Sequence, residues 1–272
     1  MPPAVSVVVP ARDEQATVDR CVRALLALDY PRELVELVVV DDGSRDRTAE
    51  ILAAYGDALT VVRQGRRGRA AARNAGVRAS RNEIVAFTDA DCTVEPRWLA
   101  GLVAPLADAT VGIAGGRMRA QTDAGPANRY RERVHDTRAA ILYWRPPYVI
   151  SSNWASPRDV LEEAGLFDET LVRGSDVDLS WRIAALGYRL VYCPDAVVRF
   201  ADGAGAAGLV LEGWKHGYYA VPIRRRHAAH IAAARETPPN PSAAPPKGRS
   251  LYSVSFSTGK RLGGTAGRLL NR

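Results

Sequence analysis

Two aspartates separated by one residue, Asp89 and Asp91, are the first candidates for chemistry in this chain of 272 residues. They follow directly on an apolar run that ends at Thr88. Carboxylate oxygens, together with phosphate oxygens, can hold Mg²⁺ or Mn²⁺ without an all-protein cage. A cation there neutralises the charge that develops when a diphosphate leaves. The spacing alone is not specific, because it recurs at Asp176 and Asp178 and because two solvated turn carboxylates would show the same pattern.

The residues before these aspartates alternate between short strands and helices. Apolar β-branched runs predict strands at 5–9, 35–40, 59–62 and 83–88. Helical spacing of apolar residues lies between them, so we expect an α/β fold with a doubly wound, mostly parallel sheet and flanking helices. Ligands of such sheets bind beyond the carboxyl ends of the strands. The polar residues at 10–14, 41–42 and 89–91 should therefore lie on one rim.

The pattern beyond Asp91 predicts further elements. We expect helices at 98–106, 158–164 and 176–186, and strands at 110–119, 148–152 and 189–193. The last of these helices would begin at Asp176.

Six segments resemble, in order and spacing, the family 2 glycosyltransferases of GT-A fold. They are residues 7–14, 38–44, 68–76, 87–91, 165–169 and 174–182. The resemblance implies a Rossmann-like GT-A domain with a nucleotide-sugar half at 1–92 and an acceptor half at 93–200. It also implies an inverting transfer from a nucleotide diphosphate sugar, with a UDP-sugar favoured, to an acceptor hydroxyl. Mg or Mn would be the cofactor.

The same resemblance suggests which residues bind the donor. Eight would bind the nucleotide: Pro10, Ala11, Arg12, Glu14, Asp41, Asp42, Arg73 and Asp89. One carboxylate of the 41–42 pair would accept the imide N–H of uracil, and Arg73 would pair with the base edge or a phosphate. Without the resemblance, Asp42 would be an ordinary turn residue and Arg73 a surface charge.

The catalytic roles also follow from the resemblance. Asp91 would hold the metal, and Asp176 would be the general base that removes the proton of the acceptor hydroxyl. A helix N-terminus favours a charged carboxylate, so Asp176 would act by placement rather than through a raised pKa. Asp176 would also suit a purely structural helix cap.

Four residues are candidates for acceptor contacts: Asn153, Trp154, Asp178 and Trp214. Trp214 belongs to the aromatic segment 213–219, which stands where processive members of the family carry a Q-x-x-R-W segment, so we expect a single transfer. The chain departs from the family at two positions. Ser175 replaces an acidic neighbour of the base, and Phe200 occupies the place of a histidine that many relatives carry, so a third metal ligand is missing.

The last expectations concern the composition, the C-terminal third of the chain and the cellular location. The hydrophobic fraction of 47% is that of a folded globular protein, and the three scattered cysteines suggest neither disulfides nor zinc. A helical extension at 201–236, a Pro-rich linker at 237–250 and a basic tail at 251–272 are expected. The same cysteines favour a reducing cytoplasm as the location. No membrane span is expected, because no apolar run reaches the roughly 18 residues that a spanning helix needs. The basic C-terminal region, in a chain of formal charge +7, is a candidate for peripheral contact with the inner face of a membrane.

Other functions fit less well. A nucleotidyltransferase should carry a Gly-rich loop after the first strand, and an oxidoreductase a G-x-G-x-x-G segment, yet residues 10–14 contain no glycine. A non-catalytic nucleotide-sugar-binding module of the same fold would not need Asp89, Asp91 and Asp176. A nucleic-acid partner is not expected, because the predicted rim is acidic. The expected partners are the donor and a small-molecule, glycan or lipid-linked acceptor.

Overall fold

A computed structural model describes residues 1–122, 125–201 and 206–234, together with residues 236, 242, 258, 260–262, 264–266 and 268–269. In these residues eight strands form one sheet, in the order β3-β2-β1-β4-β7-β6-β8-β5. The strands are β1 Val5–Ala11, β2 Val35–Asp42, β3 Thr60–Gln64, β4 Ile84–Thr88, β5 Cys92–Val94, β6 Val111–Ala120, β7 Asn153–Pro157 and β8 Arg189–Phe200.

Helices of the described residues cover both faces of the sheet. They are α1 Val18–Leu26, α2 Thr48–Ala53, α3 Arg69–Ala79, α4 Trp98–Val103, α5 Gly125–Val134, α6 Thr137–Leu142, α7 Arg158–Glu163, α8 Ser175–Ala185, α9 Ala206–Arg226 and α10 Ala228–Ala234. The apolar runs of the strands are buried on both sides: Val7 and Val9 pack on one face, and Val8 packs on the other. Parallel sheets with helices on both faces need such runs.

The pairing of the strands confirms the predicted fold class. Of the seven neighbouring pairs in the described residues, β1–β2, β1–β4, β2–β3 and β6–β8 are parallel and the other three are antiparallel. Helix α3 lies directly on β1, since a Cβ added to Gly76 would come within 2.3 Å of Val8 Cγ1. Close approach of this kind fixes the position of α3 relative to the rim.

The strand predicted at 148–152 is wrong, because the strand begins at Asn153. The backbone before it bonds to helices and not to a neighbouring strand: Tyr148 N–H donates to Ala140 O (3.2 Å), Val149 N–H to Ser180 Oγ (3.2 Å) and Ser151 N–H to Asp176 Oδ2 (3.1 Å). The predicted strand at 189–193 is too short. Strand β8 continues through Pro194 to Phe200, with an irregular register opposite Gly116 and Arg117.

Helices α9 and α10 form the C-terminal extension. Gly217 of α9 contacts the backbone of a later described residue, since a Cβ there would lie 1.9 Å from Lys260 O. The predicted linker at 237–250 lies outside the described residues apart from Ser242, and the predicted tail at 251–272 is described only at scattered positions from 258 to 269. No helix in the described part of the chain is long and apolar enough to cross a membrane.

Candidate active site

A cavity of about 270 Å³ lies at the carboxyl ends of β1, β2 and β4. Seven predicted donor-site residues line it: Pro10, Ala11, Arg12, Glu14, Asp42, Asp89 and Asp91. The parallel strands of the sheet end at this rim, which is why residues far apart in the sequence meet there. Two predicted nucleotide residues, Asp41 and Arg73, do not line the cavity.

The two aspartates at the end of β2 act on different loops. Asp42 fastens the loop before α3: its Oδ1 accepts the N–H of Arg67 (2.8 Å) and its Oδ2 that of Gly68 (2.9 Å). Gly68 has φ +97°, a conformation that favours glycine. Asp41 turns the other way, and its Oδ1 accepts the N–H of Ser44 (2.9 Å). Asp42 is thus a loop anchor that also presents its side chain to the cavity.

Arg73 lies behind the cavity. Its guanidinium is 2% exposed, Nη2 donates to Asp89 Oδ1 over 2.7 Å, and the group stands 5.7 Å from the ring centre of Phe167. Arg73 therefore holds Asp89 from the core side, and its own side chain does not line the cavity.

Arg69, which is not among the predicted site residues, lines the cavity instead. The carboxylate of Asp89 raises the pKa of Arg69, and those of Asp91, Glu14 and Asp176 add to the effect. Helical spacing was a usable signal: Arg69 and Arg73 share one face of α3, and the helix runs back from the rim, so its first residue lies nearest the ligand.

Three carboxylates, Glu14, Asp89 and Asp91, face one another in the cavity. Burial, and then the charge of Asp89, raises the pKa of Asp91. Burial also raises the pKa of Glu14, with smaller contributions from Asp91 and Asp89. This mutual repulsion is what a bound cation relieves. No group of three or more His, Cys, Asp or Glu side chains in the described residues is arranged to hold a metal ion by itself. The oxygen donors fit a hard cation whose other ligands are phosphate and water.

Asp176 is the second residue of α8 and is half-buried. Its Oδ1 accepts the N–H of Val177 (2.9 Å), and its Oδ2 accepts the N–H of Ser151 (3.1 Å). Two backbone donors fix the orientation of the carboxylate, and Arg69 lies within its electrostatic reach. A carboxylate held in this way beside the cavity can accept a proton from a hydroxyl group.

Comparison with known proteins decides the family. The model of glycosyl transferase family 2 matches residues 6–165, more than half of the chain. The chain belongs to this family. Glycosyltransferase AglE of Haloferax volcanii is 29% identical over 200 residues, which cover 72% of this chain and 66% of AglE. The pre-mycofactocin glycosyltransferase of Mycobacterium tuberculosis is 31% identical over 233 residues, which cover 82% of this chain and 48% of the relative. The chain thus spans about half to two thirds of the length of these curated relatives.

Solved structures agree on the fold. The mannosyltransferase PcManGT from Pyrobaculum calidifontis, in complex with GDP-Man and Mn²⁺, superposes with a TM-score of 0.67 at 26% identity, covering 98% of this chain and 74% of that one. S. aureus TarS in complex with UDP-GlcNAc superposes with a TM-score of 0.63 at 19% identity, covering 85% and 67%. This family 2 glycosyltransferase therefore has the GT-A fold of its structural neighbours.

The structure places two predicted acceptor residues of this glycosyltransferase in the core. Asn153 is fully buried; its Oδ1 accepts Trp98 Nε1–H (2.8 Å), and its Nδ2 donates to the carbonyls of Arg117 (2.9 Å) and Ala196 (3.0 Å). Trp154 is 1% exposed and stacks on Phe87 with ring centres 4.6 Å apart. Strand β7 lies inside the sheet, so neither side chain faces the cavity.

The other two predicted acceptor residues are Asp178 of α8 and Trp214 of α9. Asp178 is fully buried and bonds to Arg182 Nε (2.9 Å), Arg226 Nη1 (3.3 Å) and His227 Nε2 (2.8 Å). It joins α8 to the end of α9. Trp214 is half-buried within α9 and stacks on Tyr218 at 5.3 Å.

A second residue that the sequence analysis missed is Arg173, just before α8. Burial lowers the pKa of Arg173, and so does the positive charge of Arg69, while Glu212 and Asp176 oppose the shift. Arg69 and Arg173 are therefore cations within electrostatic reach of each other and of Asp176.

Proposed function

We propose that this glycosyltransferase moves one sugar from a nucleotide diphosphate sugar to an acceptor hydroxyl with inversion at the anomeric carbon. The observation that carries the proposal is the arrangement of Glu14, Asp89 and Asp91 around Arg69, with Asp176 beside them. Acidic metal ligands, a cation for phosphate and a fixed base are the groups that such a transfer needs. We assign the donor to residues 1–92 and the acceptor to residues 93–200.

The chemistry is a displacement at the anomeric carbon. The bond between that carbon and the diphosphate oxygen breaks, and its electron pair leaves with the nucleoside diphosphate. The acceptor oxygen attacks from the opposite face, and its proton passes to the carboxylate of Asp176. Arg69 stabilises the charge of the departing diphosphate, and Arg73 keeps Asp89 in place.

Mg²⁺ or Mn²⁺ would be held by Asp91 with help from Asp89, and it would supply positive charge to the diphosphate. The repulsion between these carboxylates supports this role. The crystallised neighbour that contains Mn²⁺ supports it as well.

The favoured donor is a UDP-sugar, because the carboxylate of Asp42 can accept the imide N–H of uracil. Guanine also presents ring and amino N–H donors, and PcManGT was crystallised with GDP-Man. The test must therefore also identify the nucleotide base of the donor.

The test is a screen of UDP- and GDP-sugars for thermal stabilisation and for sugar release, with and without Mn²⁺. Asp91→Ala should lose the metal-dependent stabilisation by the donor. Asp176→Asn should keep donor binding and lose about 10²- to 10⁴-fold in the rate of transfer. Asp57→Asn, an exposed carboxylate outside the cavity, is the control.

Transfer at the wild-type rate by both site variants would show that the assigned roles are wrong. Donor binding without release or transfer for any sugar would favour a non-catalytic binding module of the same fold.

A further inference from the structure

A second cleft, of about 640 Å³, lies between α5, α6 and the strands β6 and β8. Five arginines line it: Arg117, Arg119, Arg129, Arg133 and Arg138. Glu132 and Asp136 are the carboxylates in the lining, which leaves a formal excess of three positive charges. None of these residues lines the donor cavity.

The two carboxylates do not neutralise the arginines. Glu132 Oε1 accepts the N–H of Ala120 (2.8 Å), and Asp136 Oδ1 accepts that of Ala139 (3.1 Å) and so caps α6. Within the described part of the chain, the side chains of Arg117, Arg119, Arg129 and Arg133 form no ion pair, and Arg138 donates to the carbonyl of Ser242 (2.8 Å). A cleft lined mainly by one sign of charge focuses the electric field and raises the local concentration of ions of the opposite sign.

Tyr192 of β8 lies among these cations. Burial raises the pKa of its hydroxyl, and the charges of Arg117, Asp136, Arg138 and Arg119 also act on it. The hydroxyl remains protonated at neutral pH and is a donor for an anion. The cleft therefore combines guanidinium groups with a neutral hydroxyl donor on one wall.

The cleft is linked to the predicted base through helix α6. Ala140 O of α6 accepts the N–H of Tyr148 (3.2 Å), and Ser151 N–H donates to Asp176 Oδ2 (3.1 Å). His135 lines the cleft, and the carboxylate of Asp176 acts on this histidine. Burial lowers the pKa of His135 to about 4, so the ring is neutral at pH 7 and adds no charge. Tyr148 lies within electrostatic reach of both Asp176 and Asp136, and Asp136 is part of the lining. The arginine cleft and Asp176 are thus joined through α6 and the segment 148–151.

We propose that this cleft binds the phosphate or diphosphate group of the acceptor, so that the acceptor hydroxyl is presented to Asp176. The charge excess is larger than a single carboxylate would balance, and arginine pairs with phosphate oxygens through two parallel N–H bonds. The phosphate is an anchor and takes no part in bond making. The placement of the hydroxyl rests on the proposed function, whereas phosphate binding by the cleft does not.

The test measures binding of glucose 6-phosphate, with glucose as its uncharged match, by calorimetry on the full chain in EDTA. Without a divalent cation, Glu14, Asp89 and Asp91 make the donor cavity repel phosphate, so binding reports the cleft. A second arm uses phosphatidylcholine vesicles with and without phosphatidic acid, which carries the same phosphomonoester on a lipid.

Two arginine pairs from opposite walls, Arg117→Ala with Arg119→Ala and Arg129→Ala with Arg133→Ala, should each weaken binding by about tenfold or more. Arg23→Ala with Arg78→Ala is the matched control, because both side chains are exposed and lie outside the cleft. Binding of the soluble phosphate, lost in both cleft pairs, supports the proposal with a soluble acceptor. Binding of phosphatidic acid vesicles alone, lost in the same way, supports it with a lipid-linked acceptor.

The proposal is overturned if neither probe binds, or if the control pair weakens binding as much as the cleft pairs do. The two proposals fail separately. Phosphate binding without turnover of any nucleotide sugar removes the proposed function only, and sugar transfer without phosphate binding removes this inference only.

Discussion

Arg73 Nη2 donates to Asp89 Oδ1 across 2.7 Å, from a guanidinium that is 2% exposed to a carboxylate that is 21% exposed. The pair joins helix α3 to the end of strand β4, and the side of Asp89 that faces away from Arg73 lines the donor cavity. A buried cation that donates a hydrogen bond to a carboxylate fixes its position. Arg73 therefore contributes to the donor site through Asp89.

Replacement of Arg73 by methionine should destabilise the fold. Asp89 loses its partner, and a buried ion pair that loses one member is costly, although the partial exposure of Asp89 reduces the penalty. We expect the free energy of unfolding to fall by about 2–3 kcal/mol, measured by urea denaturation. Arg78→Met on the same helix is the control, because its side chain is 59% exposed, and it should change stability by less than about 0.5 kcal/mol. Equal effects of the two variants would contradict the role given to Arg73.

Replacement of Arg69 by alanine should separate donor binding from stability. Arg69 lines the cavity beside three carboxylates and is free to meet the diphosphate. Loss of a charge-assisted hydrogen bond costs about 1.5–3 kcal/mol, so the KM for the donor should rise about 10- to 100-fold. Arg66→Ala, an exposed arginine of the preceding loop, is the control for charge alone. If Arg66→Ala raised the KM as much as Arg69→Ala, the effect would be one of net charge and not of contact.

The sequence predicted the rim correctly because the first four strands have continuous apolar runs that end in polar residues. Such runs can be recognised from neighbouring residues alone, so the sequence predicts β1, β2 and β4 and places the residues that follow them at the rim. Strand β7 was missed for the opposite reason. Its segment Asn153–Pro157 contains no β-branched residue, and it pairs with β4 and β6, which lie far away in the sequence. The run before it looked like a strand, yet its amides bond to Ser180 and Asp176.

Single residues of the site are also hard to predict when their contacts lie far away in the sequence. The resemblance to the family selects Arg73, although Arg69 is the same type of residue on the same face of α3. Burial decides which of the two arginines lines the cavity, because Arg73 packs against Phe167, whose position depends on a loop about 90 residues away. Asn153 and Trp154 were selected for their sequence position, whereas the depth of β7 in the sheet controls what they contact.

Substitutions of Trp154 test whether this residue packs in the core or contacts the acceptor as the sequence predicted. Trp154→Ala should lower the free energy of unfolding by about 3–5 kcal/mol, because the ring is buried against Phe87. Trp154→Phe keeps a ring and removes an indole N–H that has no partner in the described residues, so it should cost less than about 1.5 kcal/mol. The KM for the acceptor should stay within about twofold of wild type in Trp154→Phe. A tenfold rise in a stable variant would instead support the contact with the acceptor that the sequence predicted.

Asp168 joins the loop after α7 to the end of α9. Its Oδ1 accepts Thr170 Oγ1–H (2.6 Å) and its Oδ2 accepts from Arg226 Nη1. The hydrogen bond from Thr170, and after it the pairing with Arg226, lowers the pKa of Asp168 from 3.8 to about 2. A carboxyl with a depressed folded-state pKa stabilises the fold above its unfolded pKa, and this contribution is lost as the pH falls through the folded value. The window therefore runs from about pH 4 down to about pH 2.

Asp168→Asn removes this linkage. At pH 7 the variant should be less stable by on the order of 1 kcal/mol, a value reduced for the partial exposure of the pair. The difference from wild type should persist at pH 5 and shrink between pH 4 and pH 3, since the wild type then begins to lose the same contribution. Urea midpoints at these pH values measure it, and Asp57→Asn, an exposed aspartate, should show no such convergence. A difference that stayed constant from pH 7 to pH 3 would mean that packing, and not the charge of Asp168, holds α9 against the domain.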